Sequence, residues 1–236
     1  LAVGTELGPT DYDMYGELPF PPPPRLVRID IDAAQTIRNA LPLVGLTGDA
    51  RATLAALLAL GVGGLRRSNG AARAARASAR ALATLTKAMR TQLGFLEVIR
   101  DTVPGALLVG DSTQPVYAGN LAYAAATPGS WFNSATGFGS LGYALPAATG
   151  ASLGAPARPI VCLVGDGGLQ FCLGELGVPR DVDAWIAIVL WNNRGYREIR
   201  ASMLAVGIEP CGVEVAPPDF ALLARAYGYA HRRIGS

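Results

Sequence analysis

Apolar runs alternate with helix-like stretches along this chain, in the order that a parallel sheet requires. Pro159–Val164 and Trp185–Trp191 are almost continuously apolar, which predicts strands buried on both faces. Leu26–Asp32 alternates apolar and polar residues, and Ala106–Val109 is a shorter strand-like run. The pattern between and after these runs predicts helices over 33–40, 51–60, 115–123, 139–153, 169–177 and 219–227. The predicted fold class is α/β, with two open parallel-sheet domains that carry helices on both faces.

The composition along the chain predicts a domain boundary. Residues 1–65 form a first unit, 66–90 are rich in Gly, Ser, Ala and Arg and suggest a linker leading into a helix, and 91–236 form a second domain. The opening Leu1–Gly4 looks like the end of a strand, and no closing element follows Ala230. We therefore expect the chain to be truncated at both ends.

Composition excludes several classes of function. Of the 236 residues half are hydrophobic and 16% are charged, and the net charge of +2 is too small to favour nucleic acid or an acidic membrane surface. No apolar stretch approaches the length of a membrane span. The three cysteines lack C-x-x-C spacing, so we expect no disulfides and a cytoplasmic location.

The turn Gly165-Asp166-Gly167-Gly168 directly follows one of the buried strands. Ligands of open α/β sheets bind outside the carboxyl ends of the strands, and glycines let the backbone approach a phosphate. A following helix would offer free N–H groups to the same anion. Since the Asp166 carboxylate would repel a phosphate unless a cation lay between them, Asp166 is a candidate metal ligand.

The next strand ends in Asn192-Asn193, and neighbouring parallel strands end side by side. Asn193 is therefore expected to face Asp166 across one crevice. A shell of carboxylate, amide, carbonyl and phosphate oxygens suits magnesium, which takes about six ligands at roughly 2.0–2.1 Å.

The two motifs together resemble the GDG…NN signature of thiamine-diphosphate enzymes, with Asn193 lying 27 positions after Asp166. Either half alone is weak, but the spacing and the strands before each half make the pair specific. The resemblance implies that thiamine diphosphate and Mg²⁺ are cofactors, and that Asp166, Asn193 and the Gly195 carbonyl are the magnesium ligands. It also implies cofactor contacts from Gly165, Gly167, Gly168 and Tyr196.

A second stretch, Trp131–Ala148, resembles the segment that cradles the aminopyrimidine in acetolactate synthases and related decarboxylases. The resemblance implies that Leu141 bends the cofactor and that the Gly139 carbonyl accepts a hydrogen bond from its amino group, with Ser140 beside them. Plain core packing is the alternative for Leu141. By a looser match, Ser112, Thr113 and Gln114 would lie near the diphosphate.

Residues 1–65 resemble the C-terminal half of the middle domain of acetolactate-synthase-like enzymes, which makes 91–236 the diphosphate-binding domain, truncated at its C-terminus. Whether such a middle domain binds FAD is left open and has no support here. Within the family, four stretches look closest to decarboxylases of 5-guanidino-2-oxopentanoate: 3–7, 10–13, 190–193 and 207–212.

The resemblance implies cleavage or formation of a C–C bond next to a carbonyl, with decarboxylation of a 2-oxo acid favoured over acetolactate-type carboligation. The family's activating glutamate lies on a pyrimidine-binding domain that this chain lacks and comes from another subunit. We therefore expect a homodimer or tetramer with its active site at the subunit interface. We assign no catalytic residue here, and we expect this chain alone to be inactive.

A different class of function is a non-catalytic nucleotide-binding module that uses Gly165–Gly168 as its turn. No G-x-G-x-x-G follows the strand, and the next strand ends in Asn-Asn instead of an acidic residue. The sequence therefore favours the enzyme.

Overall fold

The computed structural model describes residues 1–8, 23–61 and 69–235. Thr10–Asp13, part of the resemblance above, lies outside the described residues. The structure separates into two compact units, Leu1–Arg73 and Ala74–Ser236. The sequence-based division at 1–65, 66–90 and 91–236 stays a prediction.

The first unit contains three parallel strands in the order β1-β2-β3, namely β1 (Ala2–Val3), β2 (Val27–Asp30) and β3 (Val44–Thr47). Helix α1 (Ala50–Ala59) follows, and the Asp49 carboxylate caps it by accepting from Ala52 N–H at 2.8 Å. The Arg28 side chain is buried and donates to the backbone carbonyls of Thr5, Arg38 and Ala40. One guanidinium thus satisfies carbonyls from both sides of β2.

The helix predicted over Ala33–Ala40 is wrong, because the structure has only a 3₁₀ turn at Gln35–Ile37. Two features end the turn early. Arg38 is extended and gives its carbonyl to Arg28, and Asn39 has a left-handed backbone with φ of 62°. A tertiary contact from Arg28 is therefore made to Arg38 in an extended conformation, which a helix over 33–40 could not contain.

The second unit is built on a four-stranded parallel sheet in the order β5-β4-β6-β7. Its strands are β4 (Leu107–Gly110), β5 (Trp131–Asn133), β6 (Ile160–Gly165) and β7 (Ile186–Trp191). Its α-helices, with α2 beginning just before the unit, are α2 (Gly70–Thr84), α3 (Lys87–Thr102), α4 (Gln114–Ala122), α5 (Ala144–Gly154), α6 (Asp166–Gln170), α7 (Val178–Asp181), α8 (Arg197–Ala205) and α9 (Phe220–Ala226). Two further 3₁₀ turns lie at Ser134–Thr136 and Leu173–Leu176.

Alternate residues of the central strands enter two separate cores, one on each face of this sheet. Cys162 and Val164 of β6 pack with residues of α5, whereas Val161 and Leu163 pack with Leu96 of α3 and with residues of β4 and α4. The continuous apolar run that predicted β6 reflects this double burial, and the expected α/β class with parallel sheets is confirmed.

Two predicted helices have different bounds in the structure. The helix predicted over 139–153 begins only at Ala144, because Gly139 and Gly142 adopt φ of 68° and 82° and form a turn. The helix predicted over 169–177 begins at Asp166, stops at Gln170 and continues as a 3₁₀ turn.

No α-helix in the described ranges combines the length and apolar character needed to cross a membrane.

Candidate functional site

The register of the second sheet brings the two predicted motifs together. Gly165 of β6 pairs with Trp191 of β7, so the residues that follow each strand start from the same edge of the sheet. Asp166 is buried, with 1% of its surface exposed, and Asn193 is half-buried. The Asp166 Oδ2 atom accepts a hydrogen bond from Gly195 N–H at 3.0 Å.

Three oxygen atoms converge beside that hydrogen bond. The side-chain oxygen of Asn193 lies 2.8 Å from the Gly195 carbonyl oxygen and 3.2 Å from Asp166 Oδ1. Oxygens that cannot donate repel at this spacing unless a cation lies among them. Adjacent ligands of an octahedral magnesium bound at about 2.05 Å would be about 2.9 Å apart. The residues present therefore fit a small, hard divalent cation.

The chemistry of the donors also fits this ion. Within the described part of the chain, no three His, Cys, Asp or Glu side chains form a group that could hold a metal. The convergent set instead has one carboxylate, one amide and one peptide carbonyl. Magnesium is usually held by one or two carboxylates together with phosphate oxygens and water. Such a site would need an anionic ligand to complete it.

Gly195 could hardly be any other residue. Its φ is 142°, and a Cβ there would lie 2.5 Å from the Val213 carbonyl oxygen. The next residue, Tyr196, donates its N–H to the same carbonyl at 2.9 Å. This hydrogen bond to Val213 helps to keep the Gly195 carbonyl oxygen beside the side-chain oxygen of Asn193.

Tyr196 also packs against the glycine turn. A Cβ at Gly167 would lie 2.5 Å from Tyr196 Cε1, so the ring covers Gly167 directly. Thr113 also approaches the turn, with its Oγ1 3.1 Å from where a Cβ of Gly165 would lie. The backbone of the turn is therefore closely packed by two residues that the sequence analysis placed near the cofactor.

Of the three hydroxyl and amide residues expected after β4, Gln114 is hydrogen-bonded to a member of the convergent set. Its Oε1 atom accepts from Asn193 Nδ2 at 3.0 Å. Ser112 lies instead 3.1 Å, hydroxyl to hydroxyl, from Ser134. The Ser112 Oγ atom is also 3.7 Å from where a Cβ of Gly139 would be.

The Trp131–Ala148 stretch, which resembles an aminopyrimidine-binding segment, includes the Gly139–Gly142 turn of the same unit. Gly139 and Ser140 are exposed and Leu141 is half-buried, and Gly139 N–H donates to Ser134 O at 2.9 Å. The roles given to Gly139, Ser140 and Leu141 toward an aminopyrimidine stay predictions.

The sequence analysis assigned no role to Asp111, which is fully buried directly after β4. Its carboxylate accepts from Ser112 N–H at 2.8 Å and from Gly142 N–H at 2.9 Å. Its Oδ2 would also lie 2.9 Å from a Cβ at Gly168. Burial raises the pKa of Asp111, and the backbone N–H groups oppose that shift. Asp111 thus joins the glycine turn to the Gly139–Gly142 turn. Its place after a predicted strand, like that of Asp166, was the available signal.

The Cys172 thiol lies close to the glycine turn, and it is a poor candidate for chemistry. It lies 3.9 Å from the Gly168 carbonyl, and burial raises the pKa of Cys172 to about 11. The thiol is therefore protonated at neutral pH.

Comparisons with known proteins cover the region that contains this site. The family described as "Thiamine pyrophosphate enzyme, C-terminal TPP binding domain" matches residues 111–236, which contain both motifs. The "Probable 2-ketoarginine decarboxylase AruI" of Pseudomonas aeruginosa is 43% identical over 236 residues, which are 99% of this chain and 42% of that protein. The "Acetolactate synthase isozyme 3 large subunit" of Escherichia coli is 31% identical over 137 residues, which are 57% of this chain and 24% of that protein.

A solved structure is similar as well. The thiamine diphosphate-dependent 4-hydroxybenzoylformate decarboxylase of Rhodococcus jostii RHA1 superposes with a TM-score of 0.65 and 26% identity. The match covers 86% of this chain and 38% of that one. The chain spans less than half the length of each of these relatives. The expected resemblance is confirmed, and the chain belongs to the thiamine pyrophosphate enzyme family, through its C-terminal TPP-binding domain.

Proposed function

We propose that this chain supplies the diphosphate- and magnesium-binding part of an enzyme that decarboxylates a 2-oxo acid with thiamine diphosphate. The observation that carries the proposal is the convergence of the Asp166, Asn193 and Gly195 oxygens beside a glycine turn, within the region that matches the family. When bound, thiamine diphosphate supplies the nucleophilic carbon and takes up the electrons released when CO₂ leaves.

The residues of this chain bind and orient the cofactor in this proposal. Asp166, Asn193 and the Gly195 carbonyl would hold Mg²⁺, whose charge would offset that of the diphosphate. The backbone of Gly165–Gly168 lets phosphate oxygens approach closely. Asp111 keeps the Gly139–Gly142 turn, and with it Leu141, at a fixed place relative to the phosphate site. No proton transfer is assigned to a side chain of this chain.

The 43% identity to a probable 2-ketoarginine decarboxylase supports a 2-oxo acid with a guanidino group as substrate. 2-Ketoarginine is 5-guanidino-2-oxopentanoate, the compound that the sequence resemblance indicated. Acetolactate-type carboligation is the second candidate, and the weaker and shorter match to acetolactate synthase favours it less.

We further infer that the enzyme acts as a homo-oligomer in the cytoplasm. The fully exposed Phe138 and the mostly exposed Phe171 flank the Gly139–Gly142 turn, which supports a surface that another domain or subunit covers. The three free thiols, Cys162, Cys172 and Cys211, support a reducing compartment.

The test uses the complete gene product that contains these 236 residues. Titration calorimetry with thiamine diphosphate, in magnesium and in EDTA, measures the metal dependence of binding. CO₂ release from 2-ketoarginine, pyruvate and benzoylformate measures the reaction. We expect binding that requires magnesium, and faster release from 2-ketoarginine than from the other two acids.

Asp166→Asn keeps the shape of the side chain and removes its charge. We expect it to weaken magnesium-dependent binding at least tenfold, because the ion loses its only carboxylate from this set. The exposed Asp181→Asn at the end of α7 is the matched control and should bind as the wild type does. Equal affinity in magnesium and EDTA for the wild type would overturn the proposed function.

A further inference from the structure

The side-chain amide of Gln114, at the start of α4, lies between three polar groups. Its Nε2 atom donates to Glu198 Oε1 at 2.9 Å. Its Oε1 atom accepts from Trp191 Nε1 at 3.3 Å and from Asn193 Nδ2 at 3.0 Å. One amide thus connects β7, α8 and the segment between them.

Two of these partners permit only one orientation of the Gln114 amide. An indole N–H can only donate, and an ionised carboxylate can only accept. The Gln114 oxygen must therefore face Trp191, and its nitrogen must face Glu198. Reversing the amide would place donor against donor at one end and acceptor against acceptor at the other.

The orientation of Gln114 in turn determines that of Asn193. With the Gln114 oxygen in place, the Asn193 group that faces it has to be the NH₂. The Asn193 oxygen then points toward the Gly195 carbonyl and Asp166 Oδ1.

The reversed Asn193 amide would form hydrogen bonds to these two oxygens, at 2.8 and 3.2 Å. However, it would put the Asn193 oxygen 3.0 Å from the Gln114 oxygen. Relieving that repulsion would require Gln114 to reverse as well, which breaks its bonds to Trp191 and Glu198.

We propose that Trp191, Glu198 and Gln114 form an orienting chain that keeps the oxygen of Asn193, and not its nitrogen, turned toward the metal. Gln114 is then a positioning residue for Asn193. The sequence analysis had instead expected it to lie near the diphosphate. The inference rests on the proposed function, since it assumes that the three oxygens hold Mg²⁺. Hydrogen bonds behind the ligands commonly set metal affinity in this way.

The members of the orienting chain contribute unequally. Trp191 is half-buried and its ring packs against Phe95, with centroids 6.1 Å apart. Glu198 is exposed, so water competes for its bond to Gln114. The loss of the Trp191 donor should therefore matter more than the loss of the Glu198 acceptor.

The test measures Mg²⁺ affinity by calorimetry, in the presence of thiamine diphosphate, on the complete gene product. Gln114→Met keeps the length of the side chain without its amide, and we expect Mg²⁺ to bind about tenfold more weakly. Trp191→Phe keeps an aromatic ring without the N–H donor, and Mg²⁺ should bind only about threefold more weakly, because one long hydrogen bond between neutral groups contributes little. The matched control is Trp185→Phe, because Trp185 is 70% exposed and outside the orienting chain.

Repeating the Gln114→Met measurement in protein that also carries Asn193→Asp distinguishes two roles of Gln114. One is to orient the Asn193 amide, and the other is to contact the diphosphate directly. Asn193→Asp replaces the amide with a carboxylate, which has two equivalent oxygens and nothing to orient. In that background Gln114→Met should no longer weaken Mg²⁺ binding. Equal weakening in both backgrounds would overturn the inference and identify Gln114 as a diphosphate contact.

The outcomes also separate the inference from the proposed function. If wild-type protein needs no magnesium to bind thiamine diphosphate, the proposed function fails and the inference fails with it. If the wild type needs magnesium and Gln114→Met binds Mg²⁺ equally well, only the inference fails.

Discussion

At the scale of single residues, the second unit contains two carboxylates that are buried for different reasons. Asp166 faces other oxygens, which a cation would bridge in the proposed function, whereas Asp111 has backbone N–H donors around it. The first arrangement has a surplus of acceptors and suits a ligand. The second is satisfied within the protein and serves to join two turns.

Asp111→Asn should destabilise the second unit by about 1–3 kcal/mol, because an amide nitrogen would face N–H groups of Ser112 or Gly142. Urea unfolding followed by tryptophan fluorescence measures the loss, since Trp131, Trp185 and Trp191 all lie in that unit. Asp183→Asn is the matched control, because this exposed residue has φ of 51°, which Asn tolerates well. An unfolding midpoint equal to that of the wild type would show that the Asp111 bonds are dispensable.

At the scale of helices and strands, the sequence predicted well the elements whose pattern is local. β6 and β7 were predicted from their continuous apolar runs, and α9 because Asp219 precedes an apolar helical run. β5 was not predicted, since three residues are too few for a periodic signal. α8 was not predicted either, and its first turn has no side-chain cap.

The same distinction holds within the candidate site. Asp166 and Asn193 could be predicted to meet, because each directly follows a strand and parallel neighbours end together. The orientation of Asn193 could not be predicted, because it depends on Gln114, which is 79 positions away. Asp111 likewise meets Gly142 across 31 positions. Contacts of this kind follow from tertiary packing and leave no spacing rule in the sequence.

The cap of α9 gives a pH-dependent prediction for this element. Hydrogen bonds from Leu222 N–H and then Ala221 N–H hold the pKa of Asp219 below its usual value of 3.8. Because the folded-state pKa is the lower one, the stabilisation is present above pH 3.8 and is lost as the pH falls through the folded-state pKa.

Asp219→Ala should therefore unfold at a lower urea concentration than the wild type at pH 7. This difference in urea midpoint should shrink once the pH falls below 3.8, the pKa of the unfolded-state carboxyl. Urea midpoints measured from pH 7 down to pH 3 provide the check. Asp219→Asn keeps a capping oxygen that does not titrate, so its advantage over Asp219→Ala should not change with pH. If the difference in urea midpoint between the wild type and Asp219→Ala stayed constant with pH, the Asp219 carboxylate would not be the cap of α9.

At the scale of the whole molecule, each unit has a core of its own. Leu7, Leu26 and Ala40 form one cluster in the first unit, and the two sheet faces of the second unit form two others. The candidate site lies entirely within the second unit. A ligand bound there stabilises only the part of the protein that unfolds together with the site.

Saturating magnesium and thiamine diphosphate should therefore protect the second unit selectively. At a free cofactor concentration 100 times Kd, the expected stabilisation is about 2.7 kcal/mol, which slows amide exchange about 100-fold where exchange requires unfolding of the unit. Hydrogen-exchange mass spectrometry on the complete gene product should show this slowing in β4, β6 and β7 and little change in β2 and β3. Asp166→Asn should reduce the slowing to about tenfold or less under the same conditions, because binding that is at least tenfold weaker leaves the free cofactor at no more than about 10 times its Kd. Equal slowing in both sheets would show that the units unfold as one, and slowing in Asp166→Asn as large as in the wild type would place the cofactor elsewhere.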